Sequence, residues 1–128
     1  MAAGPENHIF FGESGEKYLF KCHRVNPFRE FGNSLDRPCV YIFAKAIHNN
    51  VSGYSDYEVL YVGETESSKN RPVSAKHEKW EWANRNRANY ICILDFSDKV
   101  DAKSKRKDIE DDLVGHYDPM CNKDNPFQ

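Results

Sequence analysis

The nine residues 57-YEVLYVGET-65 read as a strand that stops at Gly63, and together with 39-CVYIFAKAI-47 they decide the fold. The earlier segment is rich in β-branched and aromatic residues and is the best strand signal in the chain. A polar connection, 48-HNNVSGYSD-56, separates the two, which suggests an antiparallel pair. Strict alternation places Tyr41 and Phe43 on one face, and Tyr57, Val59 and Tyr61 together on another.

Moving outward, 89-NYICILDF-96 forms a third strong strand, and 17-KYLFKCH-23 adds a weaker one. Residues 24–38 carry Pro27, Gly32, Asn33 and Pro38 and read as loop. Residues 1–7 read as a frayed end. One helix starts near Ser74 and runs to about Arg87. A second, capped by Ser104, runs to about Tyr117, is weakened by Gly115, and is ended by Asp118-Pro119. The expected architecture is α+β: a small three-stranded, mainly antiparallel sheet flanked by helices, with a possible extra N-terminal strand. Residues 1–35 form an extension packing on a domain of residues 36–128.

The bulk numbers suit a single soluble domain: 128 residues, 39% hydrophobic and 30% charged. No apolar run approaches a membrane span, and the N-terminus carries no secretory pattern, so a cytoplasmic chain without membrane contact is expected. Four cysteines (Cys22, Cys39, Cys92, Cys121) are scattered without a CxxC pair, so reduced thiols are the default. Net charge is -2 with a pI near 6.2, which speaks against an overall basic nucleic-acid binder. Local charge differs: six basic residues (Lys69, Arg71, Lys76, Lys79, Arg85, Arg87) face two acids (Glu78, Glu81) between positions 69 and 87. A second basic run is 103-KSKRK-107. Both fit solvated faces, and both fit phosphate-contacting stripes.

Near the C-terminus, 108-DIEDDLVGHYDPMCN-122 holds four carboxylates in five positions. On a helical wheel Ile109, Leu113, Val114 and Tyr117 share one arc. Glu110 falls inside it, while Asp108, Asp111 and Asp112 fall outside and face water. A carboxylate on an apolar face needs an ion partner, hydrogen bonds or a metal. Arg71 and Lys45 are the basic partners weighed for it.

The paired blocks 39-CVYIF-43 and 60-LYVGET-65 resemble those of the GIY-YIG nuclease superfamily, with Cys39-Val40-Tyr41 departing from the first block. Arg71, His77, Glu110 and Asn122 follow in the family's order, and 117-YDPMCN-122 is similar to the ending of small stand-alone bacterial members. The resemblance implies hydrolysis of DNA phosphodiester bonds with one divalent metal, Mg²⁺ or Mn²⁺. It implies Tyr41 as general base aided by His77, Tyr61 positioning water or phosphate, and Arg71 on the phosphate. Glu110 would be the metal ligand and Asn122 a brace. Arg71 and His77 are six positions apart with Pro72 between them, wider than the family's one helical turn. Lys69 or Lys76 is then an alternative phosphate contact, and Lys69, Lys76, Lys79 and Arg85 are the expected DNA-binding residues. A protein partner or oligomer would supply target specificity. Against this stands a second expectation, a catalytically weak or silent nucleic-acid-binding or protein-interaction module on the same fold.

Overall fold

The computed structural model describes residues 6–24, 38–48, 55–66, 78–97 and 102–123. In chain order these form β1 (Glu6–Phe11), β2 (Lys17–Arg24), β3 (Cys39–His48), β4 (Ser55–Thr65), α1 (Glu78–Arg85), β5 (Tyr90–Asp95), α2 (Ala102–Tyr117) and a short 3-10 helix, Met120–Asn122. The five strands make one sheet in the order β1-β2-β5-β3-β4, with every neighbouring pair antiparallel. The α+β expectation holds, but the sheet has five strands, not three.

The β3–β4 and β3–β5 pairings are the ones the strongest sequence signals predict. The addition is the N-terminal hairpin. Its first strand, 6-ENHIFF-11, begins inside residues 1–7, where the sequence suggests a frayed end, and it is inconspicuous because only Phe10 is buried and no alternating apolar pattern shows. Gly12 and Gly15 make the hairpin turn. Gly12 N–H donates to Glu16 O, Gly15 N–H donates to Gly12 O, and Gly15 takes φ +90°, which a side chain would resist.

Alternation along β3 sorts the interior into two layers. Cys39, Tyr41 and Phe43 join Leu60, Trp80, Ala83, Ile91 and Cys121 on the face covered by α1. Val40, Ile42 and Ala44 join Phe10, Phe20, Val62, Cys92 and Leu113 on the face covered by α2. The hairpin therefore fills the same core as β3, through Phe10, Phe20 and Cys22.

Each helix ends by an identifiable device. After α1, Arg87 takes φ 70°, Ala88 N–H donates to Ala83 O and Arg87 N–H donates to Asn84 O, a Schellman closure with arginine in the position glycine usually takes. α2 runs through Gly115, and Asp118 at φ 45° followed by Pro119 stops it, as the sequence suggests.

Asp112 corrects the expectation that three of the four clustered acids face water. Its carboxylate accepts hydrogen bonds from Ser14 N (2.8 Å), Ser14 Oγ (2.6 Å) and Tyr18 Oη (2.7 Å), and its carbonyl accepts from Glu13 N. The wheel places Asp112 away from the sheet, and the hairpin turn reaches over to meet it. A Cβ on Gly12 would lie 1.8 Å from Asp112 Oδ2, so the approach requires glycine. The hydrogen bonds of Ser14, then Tyr18, hold the Asp112 carboxyl below its ordinary pKa, and burial followed by the Asp112 hydrogen bond pushes the Tyr18 phenol up to about 12.

A carboxylate with a depressed folded-state pKa contributes stability that is fully present above its ordinary value, about 3.9, and is lost as pH falls through the folded value. Asp112→Asn is therefore expected to lower the melting temperature at pH 7, with the gap to wild type closing in acid. Thermal melts from pH 7 to pH 2 check this; an equal gap at every pH would show that the charge is not what anchors the hairpin.

Candidate active-site residues at the β4 edge

β4 is one of the two edge strands of the described sheet, and it is irregular. Phe43 stands opposite Tyr61 and Ala44 opposite Val59, so Leu60 is an inserted residue. Such a bulge flips the side-chain alternation beyond it. Tyr57 and Val59 pack on the α2 face, whereas Leu60 and Tyr61 pack on the α1 face. The expectation that Tyr61 shares a face with Val59 and Tyr57 is thus corrected: it shares one with Tyr41 and Phe43.

There the aromatic rings form a cluster. Ring centroids of Tyr41 and Tyr61 are 6.0 Å apart, Tyr41 and Phe43 5.2 Å, Phe43 and Tyr61 5.5 Å, and Trp80 of α1 meets Phe43 edge-on at 5.1 Å. Tyr41 is 2% exposed and Tyr61 half-buried. Gly63, the register partner of Tyr41, is the floor of this cluster. A Cβ there would lie 2.6 Å from Tyr41 Cζ and Oη and 2.8 Å from a Tyr61 ring carbon. The glycine of the 61-YVG-63 block is needed because two tyrosine rings occupy the space of its missing side chain.

Asn122 closes the outer edge of the same strand. Val62 N–H donates to Asn122 Oδ1 at 2.8 Å, and Asn122 Nδ2 donates to Val62 O at 2.7 Å. The side-chain amide pairs with the strand as a neighbouring strand would, satisfying two edge groups.

Glu110 reaches β4 from the other face. It sits on α2 beside Ile109 and one turn before Leu113, and its side chain is 15% exposed, as the wheel predicts. Among the described residues its cation is Lys107, whose Nζ donates to Oε1 at 2.6 Å, rather than Lys45; Arg71 lies outside the described residues. Burial raises the Glu110 pKa above the ordinary carboxylate range; Lys107 opposes the shift, while Glu64 and Asp111 add to it. Glu64 is held in turn by Arg106, whose Nε donates to its Oε2 at 3.1 Å.

Arg106 belongs to 103-KSKRK-107, which the sequence fits both to a solvated face and to a phosphate-contacting stripe, and the structure buries it instead. It is 3% exposed, its Nη2 has no hydrogen-bond partner, and that atom lies 3.8 Å from Glu66. Its position seven residues before Leu113, on the packed arc, was the available signal.

Of the expected site residues, Tyr41, Tyr61 and Asn122 lie with β4 on its α1 face and outer edge, and Glu110 meets β4 from the α2 face. The sheet separates the carboxylate from the tyrosine rings, so one enclosed cleft is not what these four form. Arg71, His77, Lys69 and Lys76 lie outside the described residues. Lys79 stands 5.1 Å over the Trp82 ring and donates to Lys123 O, and Arg85 pairs with Glu81 at 3.0 Å. Among the described residues no three His, Cys, Asp or Glu side chains converge as a metal site, and no helix is long and apolar enough to cross a membrane. Comparison with protein-family models, curated proteins and solved structures gives no match.

Two substitutions probe the β4 edge. Gly63→Ala overpacks the rings and is expected to cost about 1–3 kcal/mol. Asn122→Ala leaves Val62 without its edge partner and is expected to cost about 1–2 kcal/mol, with Asn122→Asp intermediate because it keeps the acceptor and loses the donor. Urea unfolding measures both; a Gly63→Ala variant as stable as wild type would mean the rings move aside freely.

Proposed function

We propose that this chain is a metal-dependent DNA endonuclease of GIY-YIG type that hydrolyses phosphodiester bonds along the β4 edge. One observation carries the reading. The four expected catalytic residues within the described structure all lie in or against that strand, the tyrosines on its α1 face and Glu110 on its α2 face: Tyr61 is part of it, Tyr41 lies over its Gly63, Asn122 bonds its Val62, and its Glu64 acts electrostatically on Glu110. The central strands also run in the antiparallel order β4-β3-β5 with Tyr41 on the middle one, which is compatible with the three-stranded core the resemblance implies.

The donor set fits a hard divalent cation. Glu110 and Glu64 are carboxylate oxygen donors; burial raises the Glu110 pKa and Glu64 adds to the rise, while Lys107 occupies Glu110 and Arg106 occupies Glu64. Mg²⁺ needs few protein ligands because it keeps several waters. Bound there, the cation would supply charge stabilisation and a more acidic water. The residues' own parts follow from position. Glu110 and Glu64 would hold the cation, in place of the contacts that Lys107 makes to Glu110 and Arg106 to Glu64. Tyr61, half-buried at the edge, orients the phosphate or water through its hydroxyl. Tyr41, beneath it, receives a proton only after ionisation, which a free phenol with a pKa near 10 resists at pH 7. Asn122 keeps β4 from shifting. Lys79 and Arg85 provide backbone contacts on α1.

A second reading has its own support. The burial of Tyr41 and the placement of Glu110 across the sheet from both rings suit a catalytically silent DNA-binding module.

Glu110→Gln decides between them. A carboxylate with a raised folded-state pKa binds its proton more tightly folded than unfolded, so stability falls as pH rises from the unfolded value through the folded one. Removing the charge is therefore expected to leave the melting temperature at pH 7 unchanged or higher. Nicking of supercoiled plasmid and of branched DNA in Mg²⁺ or Mn²⁺ is expected to fall by about 100-fold or more, to the level seen with EDTA. Equal nicking by Glu110→Gln and wild type would remove Glu110 from the chemistry. DNA binding without any metal-dependent nicking by wild type would favour the silent module. In either case Lys79→Gln with Arg85→Gln is expected to reduce the slope of log affinity against log salt by about two.

A further inference from the structure

Cys22 and Cys92 belong to none of this. They sit on β2 and β5, on the α2 face of the sheet, 1% and 0% exposed. They are direct register partners across the antiparallel β2–β5 ladder. None of the four cysteines is in a disulfide, and all four are buried. Directly opposed residues of antiparallel strands have Cα atoms about 4.5 or 5.5 Å apart, according to the type of pair, and both values lie within the span a disulfide tolerates, roughly 4.4–6.8 Å. The register therefore sets the two residues side by side on one face, at a Cα span of the kind a disulfide bridges.

The position is also mechanically significant. The β1–β2 hairpin joins the rest of the sheet only through the β2–β5 ladder, whose register runs over four residue pairs, Lys21–Arg24 against Ile93–Tyr90. The same hairpin holds α2 through Ser14 and Tyr18 on Asp112 and through Phe11 N–H on Tyr117 Oη. A covalent bond across β2–β5 would fix both the hairpin and the helix that carries Glu110.

We propose that Cys22 and Cys92 form a redox latch: a low-molecular-weight disulfide oxidises them to a cross-strand disulfide that locks the N-terminal hairpin, and with it α2, onto the core sheet. The exchange balances. The thiolate of one cysteine attacks the small disulfide, forming a mixed disulfide and releasing one small thiol. The second thiolate attacks the protein sulfur of that mixed disulfide, forming the Cys22–Cys92 bond and releasing the second small thiol. Two protons leave the cysteines and two appear on the released thiols. Burial, then the neighbouring Cys22, pushes the Cys92 pKa well up, so the closed sheet is unreactive and exchange proceeds when β2 separates from β5. Cys39 and Cys121 share the opposite core layer and serve as internal controls.

The test is refolding of the reduced full chain in glutathione buffers of increasing oxidised fraction. Acid quenching, alkylation of free thiols and peptide mapping follow. The expected product carries one bond, Cys22 to Cys92, with Cys39 and Cys121 alkylated. Its melting temperature is expected to exceed that of the reduced chain by on the order of 10 °C, reversibly on adding dithiothreitol. Hydrogen exchange across 102–117 is expected to slow. Cys22→Ala and Cys92→Ala should each abolish the oxidised gain, while Cys39→Ala keeps it. Four alkylated cysteines under excess oxidised glutathione, glutathione adducts only, or a bond confined to Cys39 and Cys121 would each overturn the proposal. None of these outcomes depends on whether the chain cuts DNA.

Discussion

The inserted Leu60 in β4 is the constraint on which the arrangement of this protein turns. With regular pairing, Tyr61 would follow Tyr57 and Val59 beneath α2, and Gly63 would no longer lie under Tyr41. One extra residue reverses the strand's alternation, sending Tyr61 and Gly63 to the α1 face and Val62 and Glu64 to the α2 face. Edge strands tolerate such insertions because one side of the ladder has no partner to lose. The same exposed side would otherwise leave Val62 N–H and C=O unpaired, and Asn122 takes both. The bulge and the asparagine brace are thus two halves of one solution for an edge that must hold aromatic rings on one face and a charged cluster on the other.

That charged cluster is held by mutual compensation. A buried guanidinium is costly unless its charge is matched, and Arg106 meets Glu64 at 3.1 Å with Glu66 at 3.8 Å. Lys107, the next residue, turns outward and caps Glu110. Both bases lie on α2, where Arg106 is shared by Glu64 and Glu66 and Lys107 by Glu110 and Asp111, so each of these carboxylates has a cation. Its remaining unsatisfied group, Nη2 of Arg106, lies at the C-terminal end of β4.

Much of this was legible in the sequence, and the rest has identifiable reasons for being hidden. β3, β4, β5 and α2 announce themselves by β-branched and aromatic content or by wheel periodicity, and their residue ranges match to within a few positions. The inward turn of Glu110 followed from a 100° step per residue. The bulge did not, because Leu60 and Tyr61 are both apolar and neither reading of the alternation leaves a polar residue in the core. β1 escaped because His8 is a polar residue on the strand's inward face and substitutes for an apolar one by stacking edge-on against Phe10 and Tyr57. Arg106 escaped because a basic run is usually a solvated face. Arg71 and His77 lie outside the described residues, so the phosphate-contacting half of the expected site is legible only as sequence order.

The four clustered acids show how far one residue type can be differentiated by geometry alone. Asp108 and Asp111 are exposed. Asp112, one step further round, meets the hairpin turn and becomes an anchor with a lowered pKa. Glu110, two steps earlier, meets β4 with one cation and a neighbouring carboxylate, and its pKa rises. Opposite shifts in carboxyls two residues apart need opposite environments: donated hydrogen bonds for one, desolvation for the other. α2 carries both because its C-terminal half is clasped by the hairpin while its N-terminal half lies along the edge strand. The hairpin thus acts at a distance on the β4 edge, since a helix fixed at Asp112 and Tyr117 has no freedom to rotate Glu110 away from Glu64.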